Sequence, residues 1–176
     1  MSDTEFDAPL LPILIYPDPV LRKVARPVTA ADAETIRTLV PSMLATMYDA
    51  PGIGLAATQI GSLLRVMVVD VSPEDERNPL VLINPELIEK SVETTTQQEG
   101  CLSIPDQYAD VTRPARVKFR YQDLHGAKQE IEADGLLSAC LQHELDHLNG
   151  VLFVDYLSAL KRNMLLRKLA KALKAN

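Results

Sequence analysis

The sequence predicts an α+β fold in which mixed or antiparallel sheets pack around a central helix, with a further helix at the C terminus. Three observations lead to this prediction. Short stretches rich in Val, Leu and Ile lie between turn residues in the middle of the chain, which is typical of strands. The central helix is predicted around the pattern His-Glu-Leu-Asp-His at residues 143–147. Apolar residues at helical spacing continue almost to the last residue, which predicts the C-terminal helix.

The first long helix is predicted to follow Thr29, a residue type that commonly caps helices. Apolar residues keep a helical period over residues 36–48, and the period continues through Pro41. We expect a kink at Pro41 rather than a break, although an internal proline removes one helical hydrogen bond. Gly52 and Gly54 are expected to end the helix.

Five strands are predicted between this helix and the central one. Residues 64–70 and 80–83 are rich in Val, Leu and Ile and indicate buried strands, with a charged loop between them. Residues 88–97 are more polar and indicate a partly exposed strand. Residues 117–121 and 128–133 indicate the two strands of a hairpin.

Length, composition and charge indicate an ordinary globular protein. The 176 residues are 47% hydrophobic and 24% charged, and no repeat or linker divides them. We expect a single domain over residues 1–176, with an acidic, flexible tail at residues 1–10 and a basic helix at residues 158–176. The net charge of −6 does not favour DNA or an anionic membrane as a partner. The acidic first residues lack the features of a signal peptide, so we expect a cytoplasmic protein.

Two of the three histidines of the chain lie four residues apart in the predicted central helix. Positions i and i+4 of a helix share one face about 6 Å apart, so His143 and His147 can hold one metal ion. Glu144 lies roughly 100° further around the helix axis, which leaves its carboxylate free to take a proton from a water molecule on that ion. Asp134 as the N-cap and Gly150 beyond the last turn support the helix. The arrangement indicates a hydrolase.

A catalytic metal usually takes three protein ligands and leaves one position for water. Cys140 lies on the same helix, but helical side chains lean toward the N terminus, so its sulfur should line the pocket instead. Cys101 follows a predicted strand and Gly100, where the backbone can turn and present the sulfur from across the site. We favour Cys101 as the third ligand. Asp155 remains the alternative, because proteases with this histidine pattern recruit a distant carboxylate.

Residues 52–59, Gly-Ile-Gly-Leu-Ala-Ala-Thr-Gln, form an unusual run of small side chains that ends in an amide. Such a run lets another segment pack closely against the backbone. One interpretation is structural, a helix end followed by a tight buried turn. The functional interpretation is a backbone strip along which an extended peptide can pair, with Gln59 directed at a reacting carbonyl group.

Taken together, three stretches resemble the three signature motifs of the peptide deformylase family. They are residues 52–59, residues 99–103 (Glu-Gly-Cys-Leu-Ser) and residues 142–147 (Gln-His-Glu-Leu-Asp-His), in the order and rough spacing of the family. The similarity extends over about residues 11–165 and matches the bacterial type that ends in a helix. It implies an enzyme that removes the formyl group from the N-terminal formylmethionine of new polypeptides and releases formate.

The resemblance also implies the metal and the residues that work beside it. Cys101, His143 and His147 would hold the ion, which is usually Fe²⁺ in the cell, with Ni²⁺, Co²⁺ or Zn²⁺ able to occupy the site. Glu144 would take a proton from the attacking water and pass it to the departing amine.

Further residues are implied to contact the substrate. The side-chain amide of Gln59 and the backbone N–H of Leu102 would stabilise the charge that builds on the formyl oxygen. The peptide would add as a strand and bond to the backbone at Ile53 and Gly54. The methionine side chain would fit a pocket with four wall residues, which are Leu136, Ala139, Cys140 and His143.

The partners and the rim of the pocket leave alternatives open. The basic helix at residues 158–176 either packs on the domain only or also docks on the ribosome, as the resemblance implies for this helix. Tyr108 stands where many bacterial members of the family have an arginine, so the rim departs from the family pattern. The alternative function is a metalloprotease of the His-Glu-x-x-His kind that cleaves internal peptide bonds and takes a carboxylate as its third ligand.

Overall fold

The computed structural model describes residues 7–176, and the first six residues of the predicted acidic tail lie outside this range. The described part contains three α-helices, α1 (Ala33–Asp49), α2 (Gly135–Leu148) and α3 (Ala159–Lys174). Its seven strands are β1 (Gly54–Ala56), β2 (Val66–Val69), β3 (Leu80–Lys90), β4 (Thr94–Cys101), β5 (Ile104–Pro114), β6 (Val117–Gln122) and β7 (Lys128–Ala133).

The strands form two antiparallel sheets. The larger sheet has the order β1-β2-β3-β6-β7, so β1 and β7 are its edges. The smaller sheet is the β4-β5 hairpin. The predicted α+β fold, with antiparallel sheets around a central helix and a further helix at the C terminus, is confirmed.

Helices α1 and α2 cover opposite faces of β2. Successive residues of a strand point to opposite faces of the sheet, and all four residues of β2 are buried. Val66 and Val68 pack in a cluster with α1, whereas Met67 and Val69 pack in a cluster with α2. The helix residues in these two clusters include Val40, Met43 and Met47 of α1 and Cys140, Leu141 and Leu148 of α2. This packing makes α2 the central helix.

Helix α3 packs an apolar stripe against the β4-β5 hairpin. Leu165 and Leu169 are buried in a third cluster that contains Ile104 and Val111 of β5 and Phe153 from the turn before α3. The basic side chains of the helix point mostly to solvent. The described helices include none that is both long enough and apolar enough to span a membrane.

Helix α1 begins close to the predicted cap. Asp32 immediately precedes the helix, and its carboxylate accepts the N–H of Thr29 at 2.8 Å. The helix is unbroken across Pro41, and the kink expected there stays a prediction. It ends before Gly52, whose N–H donates to the carbonyl of Met47 at 2.8 Å.

The prediction of a separate strand over residues 88–97 is wrong. The structure divides this stretch between the end of β3, a turn at residues 91–93 and the start of β4. Asn84 has a φ of 52°, and the pairing register of β3 shifts between Ile83 and Glu86. This irregularity interrupts the two-residue alternation of the strand, so one long strand looks like two in the sequence.

Strand β5 was not predicted from the sequence. It is 11 residues long and contains Pro105, Asp106 and Pro114, residue types that are uncommon in strands. Asp106 has a φ of 61°, which is outside the extended region. The strand forms because Ile104 and residues 108–114 pair with β4, a contact between strands that the local sequence pattern does not reveal.

Gly150 follows α2 in a left-handed conformation with a φ of 74°. A Cβ at this position would lie 2.5 Å from the carbonyl oxygen of Arg22, so Gly150→Ala adds a clash to the backbone strain. We expect this variant to lower the free energy of unfolding by about 2–4 kcal/mol in urea denaturation. Gly126 has a φ of 80°, but no described atom lies within 4 Å of its Cβ position, so Gly126→Ala should cost only about 1 kcal/mol. Equal losses in both variants would contradict the clash.

Candidate active site

Three metal-binding side chains meet where the end of β4 faces α2. Cys101 Sγ lies 3.2 Å from His147 Nε2, which in turn lies 3.2 Å from His143 Nε2. The ligand atoms of all three residues lie within 4.8 Å of one another. Both histidines are buried and Cys101 is partly buried. The structure therefore brings together the three residues that the sequence proposed as ligands.

The spacing of these atoms fits a single metal ion. Metal–nitrogen bonds of about 2.0–2.1 Å and metal–sulfur bonds of about 2.3 Å separate neighbouring tetrahedral ligand atoms by about 3.3–3.6 Å. The two separations of 3.2 Å are close to these values. One thiolate and two imidazoles suit several divalent transition metals. Three protein ligands also leave a fourth position open for water or substrate.

Helix α2 and a bulge in the hairpin position the ligands. His143 and His147 lie one helical turn apart on α2, and their ring centroids are 4.9 Å apart. Cys101 is the last residue of β4, and the pairing of β4 with β5 shifts between Gly100 and Cys101. A bulge of this kind changes the direction of a strand side chain. At this bulge the sulfur of Cys101 points toward α2.

Glu144 lies beside the ligand atoms and is buried. Its Oε1 is 4.0 Å from His143 Nε2, and its Oε2 has no hydrogen-bond partner within residues 7–176. Burial raises the pKa of Glu144 to about 7; the charge of Glu99 adds to this rise and His143 opposes it. A carboxyl group with a pKa near neutrality can both accept and donate a proton at working pH.

The backbone of β1 packs directly against this carboxylate. A Cβ at Gly54 would lie 2.7 Å from Glu144 Oε1 and 2.9 Å from Cys140 Sγ, so no larger residue fits without movement. The carbonyl oxygen of Ile53 accepts the N–H of Asp70 at 2.8 Å and lies 3.6 Å from Cys140 Sγ. The run of small residues therefore brings a strand edge next to the site.

Gln59 is buried with its amide oriented by three neighbours. Its Oε1 accepts the N–H of Ala56 at 2.9 Å, and its Nε2 donates to Ser103 Oγ at 3.1 Å. Nε2 also lies 3.6 Å from Cys101 Sγ. These contacts turn the NH₂ group of the amide toward the sulfur. Leu102 follows Cys101 in the turn between β4 and β5.

A buried network of charged groups holds His143 from behind. His143 Nδ1 lies 2.9 Å from Glu99 Oε1, and Arg113 donates to both oxygens of Glu99 at 2.7 and 2.9 Å. Arg113 also donates to Asp146 at 2.9 Å. Burial raises the pKa of Glu99, but hydrogen bonds from His143 and Arg113 outweigh it and lower the pKa overall. A carboxylate on Nδ1 leaves the lone pair of Nε2 directed at the other two ligands.

A cavity of about 770 Å³ opens next to these groups, between β1, the β4-β5 turn and α2. Ile53 and Leu136 are about half exposed at its walls. Ten of the predicted site residues line this cavity: Ile53, Gly54, Gln59, Cys101, Leu102, Leu136, Ala139, Cys140, His143 and Glu144.

Comparison with known proteins decides the family. Residues 10–163 match the model of the polypeptide deformylase family. The chain belongs to this family. The peptide deformylase of Rhizobium meliloti is 57% identical over 164 residues, which cover 93% of this chain and 94% of the relative. That of Alkalilimnicola ehrlichii is 57% identical over 162 residues, which cover 92% of this chain and 90% of the relative.

Solved structures of peptide deformylases share the fold. The crystal structure from Legionella pneumophila has a TM-score of 0.89 and 46% sequence identity, and covers 95% of this chain and 97% of its own. The crystal structure from Synechococcus elongatus, in complex with actinonin, has a TM-score of 0.85 and 46% identity over 92% of this chain and 89% of its own. Peptide deformylases are metal-dependent hydrolases that remove the N-formyl group from nascent peptides.

Asp155, the alternative third ligand, is engaged elsewhere. Its two carboxylate oxygens accept hydrogen bonds from Arg22 at 2.7 and 3.0 Å, and one of them also accepts the N–H of Leu152. The convergent group of possible ligands contains Cys101 instead. Both this geometry and the family therefore favour a deformylase over a protease with a carboxylate ligand.

Sequence reasoning missed the support network of Glu99, Arg113 and Asp146. A signal existed for the two acids, because each lies within two residues of a proposed ligand, inside a stretch that resembles a family motif. Arg113 gave no local signal. It lies in β5, which was not predicted, and reaches Glu99 only across the β4-β5 pairing.

Removal of the sulfur should abolish stoichiometric metal binding. We expect Cys101→Ser to weaken metal binding by more than roughly 100-fold, beyond the loss typical when a residue behind a ligand is changed. Cys140→Ser removes the other thiol of the chain and should keep the metal. Elemental analysis after anaerobic loading and dialysis measures both variants. A Cys101→Ser protein that retains one metal ion per chain would contradict the proposed ligand set.

Proposed function

We propose that the protein removes the N-formyl group from newly made polypeptides and releases formate, at a metal centre held by Cys101, His143 and His147. One observation carries this proposal. A buried carboxylate oxygen of Glu144 without a hydrogen-bond partner in the described part of the chain lies beside three ligand atoms that converge within 4.8 Å. Family membership supports the reaction, and the cavity supports access by a peptide.

We propose Fe²⁺ as the ion in the cell, with Ni²⁺, Co²⁺ or Zn²⁺ able to take its place. When bound, such a cation supplies Lewis acidity, which makes a water molecule more acidic and polarises a carbonyl group. A ligand set of one thiolate and two imidazoles supports this range of metals, because these donors suit each of them.

Glu144 moves the protons of the reaction. It takes one proton from the attacking water, whose oxygen forms a bond to the formyl carbon. The bond between the formyl carbon and the nitrogen then breaks, and Glu144 passes the proton to that nitrogen. The products are formate and a free amino terminus. A pKa near 7 supports both transfers, because the group can take up and release a proton near neutral pH.

Gln59 and Leu102 stabilise the negative charge that builds on the formyl oxygen. The NH₂ group of Gln59 has two protons, and the bond to Ser103 uses one of them; the other is directed toward the metal ligands, with Nε2 3.6 Å from Cys101 Sγ, where a substrate oxygen would accept it. The backbone N–H of Leu102 supplies a second donor at the turn after Cys101. Donors that are oriented before the substrate arrives stabilise a developing charge without reorganisation.

The peptide adds as a strand to the open edge of β1, along Ile53 and Gly54. The N–H and C=O groups of successive strand residues point to opposite edges, and the Ile53 carbonyl is already bonded to Asp70 inside the sheet. This alternation directs the backbone groups of Gly54 to the open edge. The methionine side chain occupies the part of the cavity that four residues line, namely Leu136, Ala139, Cys140 and His143.

The rim of the cavity favours basic over acidic side chains at the substrate positions beyond the methionine. Within residues 7–176, no lysine or arginine lines the cavity, whereas Asp106 lies exposed on its wall. Tyr108 is 62% exposed beside it and offers an aromatic face. A carboxylate and an aromatic ring together attract cationic side chains and repel acidic ones.

We also propose that the whole chain, residues 1–176, acts as one catalytic domain in the cytoplasm and that α3 docks on the ribosome. The substrate is a nascent polypeptide, which supports both the place and the contact. No acidic residue occurs in residues 158–176, and most basic side chains of α3 are exposed. A cationic helix on a chain with a net charge of −6 is a surface that ribosomal RNA can attract.

Formate release from a formyl-Met-Ala peptide by anaerobically loaded enzyme tests the proposed function. We expect turnover with iron, nickel or cobalt and no cleavage of internal bonds in unformylated peptides. Glu144→Ala should lower kcat by roughly 10²- to 10⁴-fold and keep the metal, because the proton carrier is lost and all ligands remain. Cleavage of internal bonds would favour the protease, and metal-loaded parent protein without formate release would refute the proposal.

The charge of the rim should appear in substrate preference. We expect kcat/KM for amidated formyl-Met-Ala-Lys to exceed that for formyl-Met-Ala-Glu by roughly 2- to 10-fold at low ionic strength, with the ratio falling as salt is added. Asp106→Asn should reduce the ratio. Glu34→Gln removes an exposed carboxylate from α1, which does not line the cavity, and should leave the ratio unchanged. A preference for glutamate would refute this account of the rim.

A further inference from the structure

A chain of polar contacts runs from the surface to the metal centre. Tyr156 donates its hydroxyl proton to Asp146 Oδ2 at 2.7 Å, and the same oxygen accepts Arg113 Nη1 at 2.9 Å. The Arg113 guanidinium carbon lies 4.7 Å from the centroid of the Tyr156 ring. Arg113 donates hydrogen bonds to both oxygens of Glu99, and Glu99 in turn contacts His143 Nδ1.

The short helix Phe153–Tyr156 contacts this centre twice. Its first residue, Phe153, is fully buried and stacks on the His143 ring, with centroids 6.2 Å apart and planes at 25°. Its last residue, Tyr156, is about half exposed and closes the outer end of the polar chain. One short segment therefore restrains the orientation of the His143 ring in two ways. Phe153 packs on the ring face, and Tyr156 acts on Nδ1 through three other side chains.

The two histidines differ in how they are held. Within residues 7–176, His147 Nδ1 is buried without a hydrogen-bond partner. His143 Nδ1, in contrast, contacts the carboxylate of Glu99. Of these two imidazoles, only that of His143 is therefore oriented by a hydrogen-bond partner on its rear nitrogen among the described residues. A hydrogen bond on the rear nitrogen of a ligating imidazole sets its tautomer and direction. The quality of that bond depends on the position of Glu99, which depends on Arg113.

We propose that Tyr156 is a positioning residue for the metal centre. Its hydroxyl and ring hold Asp146 and Arg113 in one arrangement, so that Glu99 keeps His143 Nε2 directed at the ion. This inference rests on the proposed metal site and adds a residue outside the ligands and the cavity. Burial and the bond to Asp146 raise the pKa of Tyr156 to about 12, so the hydroxyl remains a proton donor at working pH.

The measurement is the rate of metal release from the full-length protein loaded with Co²⁺. Release is followed by transfer of Co²⁺ to an excess of chelator, and the visible absorption of bound Co²⁺ reports its coordination geometry. Tyr156→Phe removes the hydroxyl and keeps the ring. We expect Co²⁺ release to be roughly 3- to 10-fold faster. This effect is smaller than the roughly 10- to 100-fold loss of metal affinity that is typical when a direct partner of a ligand is removed, because Tyr156 acts on His143 only through other side chains. The absorption bands should also shift.

Tyr121→Phe is the matched control. Tyr121 lies partly buried on β6, and its hydroxyl has no hydrogen-bond partner among the described residues, so its loss removes an oxygen without breaking a contact. Its release rate should equal that of the parent. Equal rates in Tyr156→Phe and the parent, or equal acceleration in both tyrosine variants, would overturn the proposal.

Asp146→Asn is a second variant that interrupts the same series of polar contacts. It should also accelerate release, and its effect combined with Tyr156→Phe should be smaller than the product of the two, because both changes break one contact. Full multiplicativity would overturn the coupling through Asp146. A parent protein that binds no Co²⁺ would refute the metal centre itself, whereas normal binding with unchanged release refutes only the role of Tyr156.

Discussion

The structure depends on holding the sulfur of Cys101 and two imidazole nitrogens within 4.8 Å of one another in a largely buried position. The ligands come from a strand end and from a helix more than 40 residues later in the chain, so no local structure can bring them together. Three features satisfy this requirement. Helix α2 packs against the larger sheet, the β4-β5 hairpin carries a bulge at Cys101, and Gly54 lets β1 approach α2 closely.

The buried pair of Glu99 and Arg113 serves orientation more than stability. Both side chains are less than 10% exposed, and the desolvation of two charges offsets most of their attraction. Both members of the pair have further hydrogen-bond partners, because Arg113 also donates to Asp146 and Glu99 also contacts His143 Nδ1. A packed apolar core could hold α2 in place, but it could not choose which nitrogen of His143 faces the metal.

The ligand helix could be predicted from the sequence because its chemistry is local. His143, Glu144 and His147 lie within five residues, and the helical period alone relates their positions. Cys101 followed from the small number of thiols and the glycine before it. Strand β5 and the contacts of Arg113 could not be read in this way, since both arise from pairing across the hairpin. Tyr156 was missed for the same reason, because its partners lie on α2 and β5.

The apolar stripe of α3 and the metal centre share one cluster of buried side chains. Leu165 and Leu169 of α3 pack with Phe153, and the same cluster includes Ile104 at the start of β5. Cys101, the last residue of β4, packs against this cluster. The stripe therefore supports both the ring that stacks on His143 and the sulfur ligand. The basic face of the same helix takes no part in this cluster. The helix can thus be needed for the geometry of the centre while its charged face remains free for a partner.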